Sequence, residues 1–549
     1  MRQRPPNKWG ILFSVIFGIF MVILDATVVN VAFPTLRREF GVGVNESQWV
    51  ISVYTMALGI ATPLAGFLAD RFGIKRIYIT GLALFIVGSA LCGLVPAPTV
   101  EIFGQSINGI WVLSAARAVQ GFGGGIALPL GTAILFSAFP AEEQGLALGV
   151  FGIALVLAPA LGPIVGGWLV DHDLWRWIFF INLPIGLLGI GMASYFLIDR
   201  KSERKVALDI LGFITSAIGF GSVLFAASIA SNEGLGSTKV LTFFAIGFVF
   251  LAIFTLIELF VAREPLLNLR LFQRRVFTIA TVVGWVSVIA LFGAEFLLPL
   301  YLQTLRGKTA FESGLILLPL AITSGIVSPF AGRFFDKVGA RPILAVGFFI
   351  LMINTWQLAQ IKADTAITWI MFLLAIRGIA LGLTVQTTLV AALSVVPGRQ
   401  VARGSALSNS TRQVVQSIGI AVLATLLTST LSQQVKDFQS QYQNATTSGQ
   451  NSAIASIFTG KGLCEPVTAP PPNVPGSEII TQILKVRDQA CQESVQGFER
   501  AYTATFFAAL LAFLISLFLP GWPGKLVGRR AADEEEGGES QSSAPAAAA

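Results

Sequence analysis

Two charged side chains stand inside long apolar stretches of this chain, Asp25 in LDATVVNVAFP and Arg117 in RAVQGFGGG. A carboxylate at the middle of a membrane helix costs about 2.5 to 3.5 kcal/mol on insertion scales, so it requires a partner or a water-filled cavity. At 1.5 Å per residue, Asp25 lies roughly 22 Å from one end of its segment and Arg117 roughly 16 Å from the opposite end of its own. We therefore expect the two side chains to meet near the middle of the membrane.

The chemistry that this pair could perform is proton transfer. A carboxylate takes up a proton when it is removed from water, and it releases the proton when a guanidinium approaches. A conformational change that alters the distance to Arg117 would therefore load and unload Asp25. We predict Asp25 as the proton carrier and Arg117 as its modulator; an ion pair that only locks two helices together is the alternative.

Other polar residues in apolar stretches predict a binding cavity. A carboxylate that shares a segment with two aromatic residues could hold a lipophilic cation or a second proton; a structural hydrogen-bonding role is the alternative. A later segment, RGIALGLTVQTT, places an arginine and a glutamine much as RAVQGFGGG does. The predicted cavity residues are Glu295, Trp285, Phe292, Gln120, Arg377 and Gln386.

The elements that must position these residues are membrane helices. The chain has 549 residues, of which 54% are hydrophobic and 12% charged, and its mean hydropathy of +0.75 is too high for a soluble protein of this length. A bilayer core about 30 Å thick requires about 20 apolar residues per helix. Fourteen such segments follow one another, at residues 10–33, 48–69, 77–95, 106–136, 146–170, 177–198, 208–230, 240–261, 276–303, 312–331, 342–361, 366–394, 413–432 and 501–520.

The distribution of Lys and Arg predicts the orientation in the membrane. An even number of spans places both termini on one side, and the termini and the loops on that side carry most of the 37 basic residues. We therefore predict a multi-pass protein of the inner or plasma membrane with both termini cytoplasmic. The net charge of +7 follows from this topology, so we expect lipid contact and no nucleic-acid partner.

Two short segments repeat at a distance of 266 residues, GFLADRFGIKR from Gly66 and GRFFDKVGAR from Gly332. Each lies between two apolar segments and predicts a tight charged hairpin, with a glycine that permits the bend. Duplicated half-bundles are typical of transporters that expose a central site to each side in turn. The predicted gating residues are Gly66, Asp70, Arg71, Gly73, Lys75, Arg76, Gly332, Asp336, Lys337, Gly339 and Arg341.

These motifs together resemble the major facilitator superfamily. GFLADRFGIKR is similar to its loop signature between the second and third helices, RAVQGFGGG to its fourth-helix arginine motif, and GIALVLAPALGPIVGGWL to the antiporter motif of its drug exporters. LDATVVNVAFP, WRWIFFINLPIG and REPLLNLRLF resemble the fourteen-span drug:proton antiporters of the EmrB/QacA type. The resemblance covers nearly all of the chain up to about residue 430.

The antiporter motif also has a physical interpretation of its own. Its glycines make one helix surface nearly free of side chains, so a neighbouring helix can approach closely, and its prolines bend the helix. We expect this helix to form a contact between two bundles that slide past each other and close against each other during transport. Tight helix packing without such movement is the alternative. The resemblance implies that this contact prevents proton leak and favours exchange. The residues concerned are Gly152, Pro159, Gly162, Pro163, Gly166 and Gly167.

The resemblance and the repeat predict an all-α membrane fold with two pseudo-symmetric six-helix bundles and two inserted helices. Cys464 and Cys491 fall in a long loop on the external side, where we expect them to form a disulfide. That loop, at residues 433–499, could be a flexible cap or a docking surface. The predicted regions are a first bundle at 1–198, the inserted pair at 199–275, a second bundle at 276–520 and a disordered tail at 521–549.

The predicted function is a proton-coupled antiporter that exports lipophilic or cationic drugs and toxic compounds across the cell membrane. No phosphate-binding loop, metal-ligand cluster or activated nucleophile is visible in the sequence, so we expect no enzymatic activity and no cofactor, the proton gradient being the energy source. The expected partners are a small-molecule substrate, protons and the bilayer; the sequence leaves a periplasmic adaptor undetermined. Export of an endogenous lipid or metabolite is the main alternative, followed by a non-transporting sensor or accessory subunit.

Overall fold

The computed structural model describes residues 7–102, 105–198, 209–435, 462–465 and 477–521. Within these ranges, fourteen helices are long and apolar enough to cross a membrane. The predicted all-α fold with fourteen spans is therefore confirmed. The helices form two bundles of six spans, and two further spans lie between the bundles in the sequence.

The first bundle contains α1 to α7, of which the short α6 and α7 together make one span. Asn7 caps the start of α1 and Gly41 its end, so the first span has well-defined limits. A small hairpin of β1, Thr99–Ile102, and β2, Gln105–Asn108, precedes the fourth span. The helices are α1 Lys8–Phe40, α2 Val44–Phe72, α3 Ile74–Leu94, α4 Gly109–Ala138, α5 Gln144–Asp171, α6 Trp177–Phe180 and α7 Asn182–Phe196.

The inserted pair is α8, Ile210–Glu233, and α9, Thr238–Leu256. The second bundle follows, and a capping box between Thr309 and Glu312 starts its second helix. Its helices are α10 Arg275–Leu300, α11 Ala310–Val338, α12 Ala340–Leu358, α13 Ile367–Leu393, α14 Val401–Thr428 and α15 Ser477–Ser516.

The starts of three predicted spans are corrected by the structure, and two predicted ends, at residues 33 and 331, fall short of the helix ends at Phe40 and Val338. The fourth span was predicted from residue 106, but residues 105–108 form a strand. The thirteenth span was predicted from residue 413, but α14 begins at Val401. The prediction started too late because the first three turns of α14 are polar, and a hydropathy criterion does not detect polar turns. The last was predicted from 501, but α15 begins at Ser477, inside the presumed loop. The other residues of that loop and the tail lie mainly outside the described residues.

The structure joins Cys464 to Cys491 in a disulfide. Cys491 lies on the part of α15 that precedes the predicted membrane span, and Cys464 lies in a short turn held against the end of α10. The backbone N–H of Cys464 donates to the carbonyl of Leu305 at 3.0 Å. The extension of α15 is therefore tied covalently to a segment that packs on the second bundle.

The two repeated segments form equivalent hairpins, and we call the side on which they lie the hairpin end. Gly73 and Gly339 end α2 and α11 with φ of 94° and 81°, which a residue with a Cβ rarely adopts. Lys75 Nζ donates to carbonyls at the end of the sixth span, the nearer at 2.6 Å. Arg341 Nε donates at 2.7 Å to the carbonyl of Leu519, beyond the end of α15. Each hairpin therefore anchors the last helix of its own bundle.

Two seams join the bundles, and the first is the contact of α5 with α11. Small residues let the backbones approach, because a Cβ on Gly149 would lie 3.0 Å from Pro329 Cα and one on Gly167 would lie 3.3 Å from Phe311 N. Gly162 and Gly166 instead face α1 of the same bundle, where a Cβ on Gly166 would lie 3.1 Å from the Val28 carbonyl. The glycine-rich motif thus packs on both bundles at once.

The second seam lies between α2 and α14, and the inserted helix α8 covers part of it. At the hairpin end α2 and α14 touch directly, since a Cβ on Gly66 would lie 2.9 Å from Arg403 Cα. Further from that end α8 packs on both helices. Gln48 of α2 donates at 2.8 Å to the Ser228 carbonyl, and the Trp49 and Phe225 rings stack at 5.3 Å. The inserted helix α8 therefore contacts both bundles.

Candidate functional site

A cavity of about 500 Å³ lies between the two bundles. Its walls come from α1, α2, α4 and α5 of the first bundle and from α10, α13 and α14 of the second. Most residues from the first bundle are apolar or carry hydroxyl groups, whereas α14 contributes a run of amide and charged side chains. A central cavity shared by two bundles can bind a small molecule.

The predicted ion pair lies beside this cavity. Arg117 Nη1 lies 2.5 Å from Asp25 Oδ2, and each residue is only 1% exposed. Arg117 is among the lining residues of the cavity, whereas Asp25 is behind it. A buried ion pair of this kind holds only when the remaining hydrogen-bonding atoms are also satisfied.

Two amides complete the environment of Asp25. The side chains of Gln120 and Asn182 donate to Asp25 Oδ1 at 2.8 and 2.9 Å. Gln120 also accepts from Arg117 Nη1 at 2.7 Å, and Asn182 donates to Ser89 Oγ at 3.0 Å. The carboxylate therefore receives hydrogen-bond donors on both of its oxygens. Neither Asn182 nor Ser89 was among the predicted site residues.

Tyr54 holds Arg117 from the cavity side. The guanidinium carbon lies 3.8 Å from the centroid of the Tyr54 ring, and the Tyr54 hydroxyl donates to the Val22 carbonyl at 3.2 Å. Arg117 Nε donates to the Val50 carbonyl at 3.3 Å. A guanidinium over an aromatic face is stabilised by the ring quadrupole. Tyr54 and Arg117 therefore separate Asp25 from the cavity.

The predicted cavity residues divide into three groups. Trp285 and Gln386 line the cavity. Gln120 and Arg377 do not line the cavity. Gln120 is hydrogen-bonded to Asp25. Arg377 is buried between helices, where it donates to the Ala290 carbonyl at 2.5 Å and to Thr355 Oγ1 at 3.1 Å. The side chains of Phe292 and Glu295 lie outside the described residues.

The acidic residues of the two hairpins contact the opposite bundle at equivalent places. Asp70 on α2 accepts from Arg403 Nε, near the start of α14, at 2.6 Å. Asp336 on α11 accepts from the backbone N–H groups of Gly145 and Leu146, at the start of α5, at 2.8 and 3.0 Å. An anion at a helix N-terminus is favoured by the free N–H groups and the helix dipole. Together the two contacts close the hairpin end.

The basic residues predicted beside them act differently. Arg71 is exposed and its guanidinium lies 5.2 Å from the ring of its neighbour Phe72, and Lys337 is also exposed. The inter-bundle cation is instead Arg403, whose Nη2 also lies 3.7 Å from Glu264. Arg403 was not among the predicted residues, because the predicted thirteenth span begins only at residue 413.

The chain matches the model of the Major Facilitator Superfamily over residues 15–420. It is 28% identical over 537 residues to the multidrug transporter protein MdtP of Bacillus subtilis, covering 96% of this chain and 95% of that protein. It is 30% identical over 417 residues to the lincomycin resistance protein LmrB of Listeria innocua, covering 76% and 86%. An uncharacterized MFS-type transporter of Bacillus subtilis, YhcA, is 35% identical over 426 residues, 78% of each chain.

Solved structures share the fold at low sequence identity. The proton:xylose symporter XylE aligns with a TM-score of 0.56 and 14% identity, covering 95% of this chain and 98% of XylE. The human organic anion transporter MFSD10 aligns with a TM-score of 0.56 and 12% identity, covering 92% and 100%. The resemblance inferred from the motifs is thus confirmed. The chain is a multi-pass membrane transporter that belongs to the Major Facilitator Superfamily.

Proposed function

We propose that this protein is a proton-coupled antiporter that exports lipophilic or cationic drugs and toxic compounds across the cell membrane. The observation that carries the proposal is the buried carboxylate of Asp25, held by Arg117 at the wall of the central cavity. The names of the relatives MdtP and LmrB support drug-like substrates. The energy would come from protons moving inward while substrate moves outward.

Asp25 binds and releases the proton in this proposal. Protonation neutralises the carboxylate and removes the charge that Arg117 faces, so the Arg117 guanidinium becomes able to leave the pair. The amides of Gln120 and Asn182 keep the Asp25 side chain in place in either protonation state. Because Arg117 lines the cavity, its movement changes the charge that a substrate meets there. Proton binding and substrate binding are thus linked through one side chain.

Alternation between two states moves the substrate. We place the hairpin end in the cytoplasm because the loops at that end carry most of the basic residues. The contacts of Asp70 and Asp336 then hold the cytoplasmic end closed while the cavity is reached from outside. Breaking both contacts would open that end and allow a cytoplasmic substrate to enter.

Transport by purified protein in proteoliposomes tests the proposal. Vesicles loaded with ethidium or with radiolabelled lincomycin are given an outward-directed or inward-directed proton gradient, and substrate movement is followed over time. We expect movement against the substrate gradient only when protons flow in the opposite direction. Movement that is indifferent to the proton gradient would contradict proton coupling. Failure of every drug tested, with lipid or metabolite export present, would instead favour the alternative substrates.

Replacing Asp70 by asparagine should shift the protein toward the state that is open at the hairpin end. The ion pair with Arg403 is part-buried, so its loss should cost about 1.5 kcal/mol, roughly tenfold in the equilibrium between the two states. A cysteine in place of Thr132 in the cavity, with Cys92 replaced by alanine, reports this state by its rate of labelling with a maleimide applied from the hairpin side. Substrate binding itself should persist.

The matched control for this variant is Asp173→Asn. Asp173 is an exposed acid in the turn after the end of α5, whereas the hairpin end lies at the start of α5. The change therefore removes an equal charge without altering the contacts between the bundles at the hairpin end. Labelling at position 132 should stay at the wild-type rate in this control. Equal labelling rates in Asp70→Asn and Asp173→Asn would refute a gating role for Asp70.

A further inference from the structure

The cavity wall formed by α14 is unusually polar for a membrane helix. Amide and hydroxyl residues, with Arg412 among them, recur along one face of α14 at helical spacing and line the cavity. Polar residues inside membrane helices are costly and generally have a function. We call the four carboxamides that line this side the amide wall, and they are Gln386 of α13 with Asn409, Gln413 and Gln416 of α14.

Several polar groups of this side have no partner in the described structure. Gln386 is 2% exposed, and neither its Nε2 nor its Oε1 is hydrogen-bonded. The hydroxyls of Thr281 on α10 and Ser408 on α14, which also line the cavity, are buried and unpartnered as well. Buried polar groups are nearly always hydrogen-bonded, so each of these exceptions requires an explanation.

The facing wall of the first bundle differs. The hydroxyls of Thr55 and Thr62 donate to carbonyls one turn earlier in α2, at 3.1 and 2.8 Å, and Thr27 donates in the same way at 2.9 Å within α1. These hydroxyl groups are therefore satisfied by their own helices. Apolar residues such as Leu58 and Leu155 make up most of the rest of this wall, which also carries Asn30 and Arg117. Among the described residues, the buried polar atoms that line the cavity and lack a partner thus lie on the second-bundle side.

We infer that the amide wall binds the uncharged, hydrogen-bonding end of an amphipathic substrate, while the first-bundle wall receives its apolar end. A carboxamide both donates and accepts, so its best complement is an uncharged group that does the same, such as an amide or a pair of hydroxyls. The Gln386 amide and the Thr281 and Ser408 hydroxyls gain their missing partners when the substrate binds. This inference rests on the proposed function for the identity of the site, and it specifies the substrate class within it.

Equilibrium binding of radiolabelled chloramphenicol to the full chain in lipid nanodiscs tests this inference without a proton gradient. Chloramphenicol is uncharged and carries an amide and two hydroxyls on a short chain attached to an aromatic ring. Gln413→Leu and Gln386→Leu should each weaken its binding roughly tenfold, since each removes hydrogen bonds that the uncharged probe makes. Tetraphenylphosphonium, a cation without hydrogen-bonding groups, should bind the variants as it binds the wild type.

A stability measurement separates recognition from folding. Gln386→Leu removes an amide with no partner, so its melting temperature should equal or exceed that of the wild type. The control is Asn354→Leu on α12, outside the cavity lining, whose amide donates to the Leu373 carbonyl at 2.7 Å. This control should lower the melting temperature and leave the dissociation constant for chloramphenicol unchanged.

Three results would overturn the inference. The first is unchanged chloramphenicol binding in both Leu variants. The second is the absence of saturable binding of chloramphenicol to the wild type. The third is weakened binding of tetraphenylphosphonium in the same variants, which would assign the wall to cations. Because no proton gradient is used, these results are independent of the proteoliposome transport experiment, so failure of the substrate class and failure of proton coupling can be told apart.

Discussion

Asp25→Asn is expected to abolish gradient-driven export, with a fall of at least about 100-fold in the rate. Asparagine has nearly the same shape, and its single side-chain oxygen can still accept a hydrogen bond from Arg117, but it cannot bind a proton at any physiological pH. The measurement is uptake or release of ethidium and lincomycin by proteoliposomes with an imposed proton gradient. Exchange of substrate down its own gradient should persist, because the cavity wall is unchanged.

The change also leaves the buried guanidinium of Arg117 without a counterion. Removing one partner of a buried ion pair typically costs about 3 to 5 kcal/mol, so the stability of the variant must be measured with its transport. A double variant, Asp25→Asn with Arg117→Gln, removes both charges and should recover much of the lost stability without recovering export. Asp25→Glu keeps an ionisable group and should keep part of the activity. Full gradient-driven export by a folded Asp25→Asn protein would exclude Asp25 as the carrier.

Gly332→Ala is expected to prevent closure of the hairpin end and to reduce export roughly 100-fold. A Cβ at position 332 would overlap the backbone carbonyl of Gly145 and lie 2.9 Å from Leu146 N, at the start of α5. The obstacle is backbone, which cannot turn aside as a flexible side chain can. Overpacking of this kind costs about 3 kcal/mol, roughly 100-fold in the population of the closed state. Labelling of Thr132→Cys from the hairpin side should rise accordingly.

The control for this variant is Gly191→Ala in α7. A Cβ at position 191 meets no atom within 4 Å, so the substitution adds the same methyl group without a steric conflict. Alanine has a higher helix propensity than glycine, so helix stability alone would predict a gain in both variants. Wild-type transport and labelling in Gly332→Ala would show that α5 and α11 need not approach so closely.

The depth of charged residues could be predicted from the sequence, but their full environment could not. Counting residues from the helix ends brought Asp25 and Arg117 to the same level, and the structure has them in contact. Asn182 and Tyr54 were missed because the contacts of an amide or a phenol inside an apolar run depend on how each helix is rotated about its axis. Hydropathy contains no information about that rotation.

The repeat and the hydropathy pattern predicted the fourteen spans and the two hairpins, and the same criterion failed at α14. The first turns of α14 carry Arg403, Ser408 and Asn409, so a scale that rewards apolar residues starts the helix about twelve residues too late. Those turns hold both the cation that pairs with Asp70 and part of the amide wall. The polar residues that line the site thus lower the hydropathy of the helix that carries them, so the start of α14 was not recognised. The i, i+4, i+7 spacing of these polar residues was the signal that could have identified the helix.

The position of α8 has a consequence for how a molecule dissolved in the bilayer reaches the cavity. One seam is formed by direct contact of α5 with α11, and at the other α8 packs on both α2 and α14. We therefore expect these contacts to keep lipid tails and lipid-soluble compounds from entering the cavity laterally along either seam. In the proposed alternation between two states, the bundles move relative to each other, so α8 must lose its contacts with either α2 or α14. The inserted pair would then move together with one bundle and re-form its contacts with the other bundle in every transport cycle.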